Sequence, residues 1–322
     1  MKKKLLFLLK ALVSLGLLTF LFLQIDLSGL VQALTSAYPP YVAFVLVTYL
    51  VSQLVSCLRW LFLARPLGFN LSFKEFLSFY FIGMFFNLFA PSTVGGDIGR
   101  VFYLARGGME NQERGATAYA LVSVVADRAI GLAVLIWIGA VALALFPTYS
   151  LPPIIRVVTY AIALGFLLGW ASVPLIKRLL VYVGHPLMEN LRLGIEVYWS
   201  RQSVILQAVV LSLIVHFIQA GLQIVLSRAL HIDLPWSYAF ILYPLVGLFS
   251  SLPISLNGIG LREGSYLFLL RQIDVSSEKA IAFGLLWFLI VALDSLIGGL
   301  VFVLKKNPRS LSDRLGYRGQ VK

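Results

Sequence analysis

Two polar, glycine-rich stretches interrupt long apolar runs of this sequence. The first is Pro91-Ser-Thr-Val-Gly-Gly-Asp-Ile-Gly-Arg100, and the second is Pro253-Ile-Ser-Leu-Asn-Gly-Ile-Gly-Leu-Arg262. They match in register at the proline, a hydroxyl residue, an aliphatic residue, a glycine and the final arginine. A polar break is tolerated at membrane depth only where it lines a cavity or is buried against protein. The two breaks therefore predict a binding site, formed where they face each other.

The chemistry that such a site could do is recognition of an anion. Arg100 and Arg262 end the two breaks, and a guanidinium group suits phosphate oxygens because it can donate two parallel hydrogen bonds. Glycine-rich turns add free backbone N–H groups. We therefore predict that one set of residues binds a lipid headgroup: Arg100, Arg262, Asp97, Glu263, Gly95, Gly96, Asn257, Gly258 and Gly260.

A structural explanation of the same residues stays open. An arginine inside a membrane needs an anion or water, and nearby carboxylates could satisfy both arginines without any ligand. The acids available for this are Asp97, Glu263, Asp127 and Asp294. Asn257 could cap a broken helix as readily as it could bind a headgroup, and the glycines could serve mainly to permit the turns.

Three charges inside apolar runs are expected to support the site. Asp127 and Arg128 are adjacent within one long run, and Asp294 has the corresponding place in a later run, without the arginine. For Asp127 and Arg128, a salt bridge that locks the broken segment in place is favoured over direct contact with a ligand.

The usual patterns of enzymes and metalloproteins are missing from the sequence. There is no P-loop and no nucleophile elbow, and the glycines of the second break have the wrong spacing for a dinucleotide fingerprint. His185, His216 and His231 lie in three different segments, with no acidic partner at ligand spacing. We therefore expect no metal ion, no cofactor and no catalytic residue.

The composition indicates an integral membrane protein. Hydrophobic residues make up 60% and charged residues 12% of the 322 positions, whereas about a quarter of the residues in a soluble domain are charged. The net charge of +12 points to anionic lipid headgroups and not to nucleic acid, because the basic residues lie between apolar runs. The single cysteine, Cys57, excludes a disulfide within the chain.

The apolar runs predict an all-α protein with about six full spans. They cover residues 5–23, 41–63, 115–146, 154–173, 204–226 and 280–304, each long enough to cross about 30 Å of hydrocarbon. The two interrupted runs, 73–103 and 238–270, are predicted to be re-entrant broken-helix hairpins. This topology gathers most basic residues, Arg59 among them, in cytoplasmic segments, as the positive-inside rule requires. Both termini are then cytoplasmic, in the cell membrane.

Two spans, a hairpin and a third span occur twice in this topology, with opposite orientation. The predicted pseudo-repeats are about 1–150 and 151–304, within a single polytopic domain of residues 1–304. Residues 305–322 form a basic cytoplasmic tail. Short matches outside the breaks support the repeat, such as Asp127-Arg-Ala-Ile-Gly131 with Asp294-Ser-Leu-Ile-Gly298. Inverted repeats with broken helices that meet near the midplane are typical of secondary transporters.

The paired breaks, with Gly-Gly-Asp in the first and Gly258-Ile-Gly-Leu-Arg-Glu-Gly264 in the second, closely resemble the lysylphosphatidylglycerol synthase transmembrane-region family. The resemblance implies a flippase-like membrane protein that handles lipids with modified or glycosylated headgroups. In the best-known members this region is fused to a soluble aminoacyltransferase, which this sequence is expected to lack, as a stand-alone member. The resemblance extends to the motif positions Asp97, Arg100, Arg262 and Glu263.

The function predicted from these features is transport of a lipid with an anionic or glycosylated headgroup across the cytoplasmic membrane. The headgroup would lie between the two hairpins while the repeats rock, with the tails left in the bilayer. Two alternatives stay open. One is a membrane-embedded enzyme that modifies lipid headgroups. The other is an accessory subunit that partners a separate lipid-modifying transferase.

Overall fold

The structure is a computed structural model that describes residues 2–23, 25–89, 95–107, 115–182, 185–252, 254–255 and 258–305. Throughout these residues the regular structure is helical, without strands. The α-helices are α1 Lys2–Leu23, α2 Leu27–Thr35, α3 Pro39–Ala64, α4 Phe73–Phe89, α5 Gly95–Gly107, α6 Ala116–Leu145, α7 Pro153–Ala171, α8 Val173–Tyr182, α9 Pro186–Ser200, α10 Gln202–Ala229, α11 Trp236–Ser251, α12 Leu261–Leu270 and α13 Ser277–Leu304.

Local sequence explains where several of these helices begin. The Asp26 carboxylate accepts hydrogen bonds from the backbone N–H groups of Ser28 and Gly29 and so caps α2. Prolines occupy the first turn of α3, where a missing N–H group costs nothing. Ser276 caps α13 by accepting a hydrogen bond from Lys279 N–H.

Five of the helices are long and apolar enough to cross a membrane, among the residues that the structure describes. They are α3 with its short 3-10 extension, α6, α7, α10 and α13, and they correspond to five of the six predicted spans. The first predicted span corresponds to α1. It counts as a sixth crossing if Ala11–Leu23 and Leu27–Thr35, which meet at an angle of 93°, form one bent span. The chain is therefore an all-α, multi-pass membrane protein.

Both interrupted runs fold back on themselves as antiparallel helical pairs. In the first pair, the start of α5 packs closely on α4, since a Cβ atom added to Gly96 would meet the Gly83 carbonyl oxygen. Further along, the rings of Phe79 and Tyr103 stack with their centroids 5.4 Å apart. In the second pair, Gly258 lies against Ser250, and the Tyr238 hydroxyl donates a 2.6 Å hydrogen bond to the Leu269 carbonyl. We call these pairs the first hairpin (α4 and α5) and the second hairpin (α11 and α12).

Each hairpin packs against the last long helix of both halves of the chain. The first hairpin packs through α4 on α13 and through α5 on α6. The second packs in the corresponding way, through α11 on α6 and through α12 on α13. Small residues permit the close contacts: Gly298 lies against the Phe81 backbone, and Gly139 lies against Pro244. Helices α3 and α10 pack along each other.

Candidate functional site

A buried carboxylate between two arginines lies where the first hairpin meets α6. Asp127 is 1% exposed. Its Oδ1 accepts a 2.7 Å hydrogen bond from Arg59 Nε on α3, and its Oδ2 accepts a 2.8 Å hydrogen bond from Arg100 Nη2 on α5. Arg59 also donates a 2.7 Å hydrogen bond to Ser212 Oγ on α10. This cluster therefore joins four helices and carries two positive charges for one negative charge.

Arg100 is held by the protein. Its guanidinium carbon lies 4.1 Å from the centroid of the Trp60 ring and 5.0 Å from that of Tyr80, so aromatic faces add to the stabilisation of a cation that shares Asp127 with Arg59. Asp97 lies one turn earlier on α5, 3.6 Å from Arg100 Nη1. For this arginine, the structural network that the sequence left open is the arrangement observed.

Arg128, on α6, is an accessible cation beside the first hairpin. Its Nε and Nη2 contact both oxygens of Asp97, at 2.9 to 3.1 Å. The Arg128 side chain is 54% exposed, and that of Asp97 is 18% exposed. The predicted salt bridge between the Asp127-Arg128 pair and the broken segment is thus confirmed, since both residues bind side chains of α5.

The residues of the first break that the structure describes shape the turn. Gly95 and Gly96 form the first positions of α5. Asn87 of α4 accepts a 3.0 Å hydrogen bond from Gly96 N–H and so caps α5. The contact of Gly96 with the Gly83 carbonyl requires a glycine. Residues 91–94 lie outside the described part of the chain.

In the second break, too, glycines permit the turn and a polar side chain caps the helix that follows. Gly258 and Gly260 have φ angles of 76° and 83°, in the left-handed region that favours glycine. The Glu263 side chain, 3% exposed, accepts a 2.7 Å hydrogen bond from Gly260 N–H and so caps α12. Arg262 lies in the first turn of α12, with its guanidinium carbon 5.5 Å from the Phe288 ring centroid. Asn257, a predicted headgroup ligand, lies outside the described residues.

Asp294 differs sharply from Asp127, its counterpart in the other half. It is 3% exposed, and none of the residues that the structure describes forms a hydrogen bond with its Oδ2 atom. Asp127, in contrast, has an arginine at each oxygen. The second half of the protein therefore contains a buried carboxyl group with an open acceptor.

The two hairpins are bridged by α6 and α13. Each of these helices packs against one helix of each hairpin. The prediction that the two breaks face each other stays a prediction, because residues 91–94 and 256–257 are not described.

A large apolar groove lies beside the cluster, between α6, α7, α10 and α11. Its volume is about 1200 Å³. One end of the groove is lined by Phe146 and Trp236, and the other by Trp170 and Trp199. Ala126, next to the Asp127 cluster, also lines it.

Sequence reasoning missed two features of this region. Arg59 is assigned by the charge count to a cytoplasmic segment, but the structure buries it against Asp127, because that carboxylate attracts the guanidinium into the bundle. His216 is set aside as a scattered histidine, but it lies 2.9 Å from the Tyr243 hydroxyl and 2.9 Å from the Gly131 carbonyl oxygen. A charge within an apolar run was the available signal for Arg59. None marked His216.

Comparison with known proteins agrees with the resemblance seen in the motifs. The family described as lysylphosphatidylglycerol synthase TM region matches residues 7–298. The UPF0104 membrane protein MJ1595 of Methanocaldococcus jannaschii is 26% identical over 127 residues, which are 38% of this chain and 36% of that protein. The match thus spans about a third of the relative's length.

Proposed function

Because this chain belongs to the lysylphosphatidylglycerol synthase transmembrane-region family, we propose that it moves a lipid with an anionic or glycosylated headgroup across the cell membrane. The observation that carries this proposal is the Arg128–Asp97 pair, in which an exposed cation within a long apolar helix binds a carboxylate on a hairpin. An intramembrane charge of this kind indicates a functional site by default.

The headgroup phosphate binds Arg128 in competition with Asp97. A phosphate offers the same two-oxygen geometry as a carboxylate and accepts the same parallel hydrogen bonds. Its arrival breaks one of the two salt bridges that join α5 to α6, the one that Asp97 forms, and leaves the buried Arg100–Asp127 bridge in place. Binding of the lipid is thereby coupled to movement of the first hairpin. Arg262, in the first turn of α12, is the second arginine proposed to bind the headgroup, and Arg100 positions α5 through Asp127.

Alternating access follows from an inverted repeat with the two hairpins as re-entrant elements. Support comes from the packing, because each hairpin contacts the closing helix of its own half and that of the other half. Rocking of one half against the other would then move both hairpins together. The termini are cytoplasmic in this arrangement, and the lipid tails remain in hydrocarbon, with the apolar groove beside α6 as their path.

A transport assay on the purified protein in liposomes tests the proposal. Arg128→Gln should reduce lipid translocation at least about tenfold, because one charge-assisted interaction with phosphate is lost. Arg128→Lys keeps the charge without the two-pronged geometry, and an intermediate rate is expected. The measurement is the protection of a fluorescent phospholipid from a membrane-impermeant quencher over time. Activity of the protein alone would also exclude a purely accessory role.

Two further variants separate ligand binding from structure. Asp97→Asn breaks the same salt bridge but leaves the cation, so lipid binding should persist or tighten if Arg128 binds phosphate. Arg192→Gln removes a partly exposed arginine that pairs with Glu189 on α9 in the same way, and should have no effect. Wild-type translocation by Arg128→Gln, or equal losses of lipid binding in Arg128→Gln and Asp97→Asn, would contradict the proposal.

A further inference from the structure

A chain of hydrogen-bonded polar side chains crosses the core at the junction of α3, α10, α11 and α6. Its members are Ser52, Gln219, Tyr243 and His216, and it ends on the Gly131 carbonyl. The donor–acceptor distances lie between 2.8 and 3.2 Å. His216 is 8% exposed and Ser52 is fully buried, so both ends of this chain lie in the protein interior, while Gln219 and Tyr243 are partly buried.

The direction of each hydrogen bond follows from the number of protons that each side chain can donate. Ser52 donates its single hydroxyl proton to the Tyr49 carbonyl at 2.7 Å, so it can only accept from Gln219 Nε2 at 3.2 Å. The Gln219 amide is thereby oriented with its Oε1 towards Tyr243, whose hydroxyl donates to it at 2.8 Å. The Tyr243 oxygen must then accept, and not donate, at its contact with His216.

With the Gln219 amide in this orientation, the imidazole needs a proton on both ring nitrogens. Nδ1 must donate to the Tyr243 oxygen, and Nε2 must donate to the Gly131 carbonyl, which has no proton to give. A neutral imidazole has one N–H group and satisfies only one of these contacts. The observed arrangement is complete when His216 is an imidazolium cation.

The neutral form completes its hydrogen bonds only if the whole chain reverses. Tyr243 would then donate to His216 Nδ1, and the Gln219 amide would turn so that its Oε1 faces Ser52. Ser52 would have to give up its 2.7 Å bond to the Tyr49 carbonyl for a contact across 3.2 Å. The two protonation states thus fix opposite directions of the same hydrogen bonds.

Charges on each helix that packs against α10 form the electrostatic setting of His216. Arg59 on α3 binds Ser212, one turn before His216, and is itself paired with Asp127 on α6. Tyr243 is the titratable group that α11 brings into direct contact. The other ionisable groups on the helices packed against α10 are Tyr41, Tyr49 and Cys57 on α3, Tyr119 and Arg128 on α6, Tyr238 on α11, Glu278, Lys279 and Asp294 on α13, and Glu189, Arg192, Glu196 and Tyr198 on α9.

We propose that His216 is a proton-binding site that couples proton movement to the lipid transport proposed above. The bond that needs the extra proton joins α10 to Tyr243 in the second hairpin. A bound proton therefore holds this hairpin in the observed position. Movement of the hairpin breaks the bond and weakens proton binding by the same factor, since linkage between two equilibria is reciprocal. The inference adds the coupled ion to the proposed function, and rests on it.

The proton site can be tested without any transport assay. The chain has three histidines, so the double variant His185→Asn with His231→Asn leaves His216 as the single one. Asparagine keeps the helix-capping acceptor that His185 supplies and tolerates the φ of 53° at position 231. Nitrogen-15 NMR of the histidine-labelled protein should show a one-proton titration of both ring nitrogens. Tyr243→Phe, added to this variant, should lower proton affinity about tenfold, because the cation loses its acceptor.

Transport in liposomes tests the coupling. With the histidine double variant as control, a pH gradient should change the initial translocation rate, and an ionophore that collapses the gradient should abolish the change. His216→Gln should bring the ratio of the rates with and without the gradient to about one, because the linked equilibrium is gone. A His216 ring that does not titrate, or a gradient effect that survives His216→Gln, overturns the inference. A His216 ring that titrates in a protein that moves no lipid contradicts the proposed transport function and leaves the proton site standing.

Discussion

Asp127→Asn should destabilise the protein by about 3–5 kcal/mol, the cost typical of removing one partner from a buried ion pair. The asparagine has nearly the same shape, so its packing is retained. Its amide presents one oxygen and one NH2 group, however, to two arginines that both donate. One buried guanidinium then faces a donor and has no anion. The free energy of unfolding, measured by SDS titration in mixed micelles, reports the change.

The matched control for this substitution is Asp294→Asn. Asp294 is equally buried, but its Oδ2 has no hydrogen-bond partner among the described residues. Neutralising it should leave the free energy of unfolding unchanged or raise it, since a buried carboxylate without a partner is costly. Equal losses for the two variants would show that burial alone, and not the paired arginines, sets the effect.

The contrast between Asp127 and Asp294 shows that the two hairpins are attached to the rest of the bundle by different kinds of interaction. The first hairpin is tied to α6 by Asp127 inside the bundle and by Asp97 near its surface. The second is attached to α10 by the hydrogen bond from Tyr266 to Gln223 and by the contact of Tyr243 with His216. A headgroup that competes with Asp97 would therefore act on the first hairpin, and a proton at His216 would act on the second. Both would belong to one transport cycle.

The features of the fold that could be predicted from the sequence are those that depend on local composition. Uninterrupted apolar runs identify the long helices, because a membrane-spanning helix must satisfy its backbone internally. The glycine-rich breaks mark the hairpin turns, and the adjacent charges Asp127 and Arg128 correctly predict a bridge to the first hairpin. The bend between α1 and α2 has no comparable signal beyond the helix cap at Asp26.

The interior polar contacts could not be predicted, because they join residues that are far apart in the chain. Arg59 and Asp127 are 68 positions apart, and Arg59 and Ser212 are 153 positions apart. Which helices become neighbours decides these contacts, and apolar composition does not specify the neighbours. His216 is an isolated histidine in the sequence, and its role emerges only when Gly131 and Tyr243 approach it from two other helices.

Gly96→Ala should disrupt the first hairpin, even though alanine is the better helix former by about 1 kcal/mol. A Cβ atom at position 96 overlaps the Gly83 carbonyl oxygen and the Asn87 side chain, and the carbonyl cannot move without bending α4. Overpacking of this kind costs about 1–3 kcal/mol or more. The expected result is a lower free energy of unfolding, together with faster proteolysis of the segment that joins α4 to α5.

Gly99→Ala is the control that isolates this contact. Gly99 lies three positions later in the same helix, and an added Cβ meets nothing within 4 Å. Its replacement should be neutral or slightly stabilising, because only the helix propensity changes. If Gly96→Ala and Gly99→Ala behave alike, α5 does not pack on α4 through Gly96. The antiparallel packing of the first hairpin, which places Asp97 opposite Arg128, would then lack the support of its closest contact.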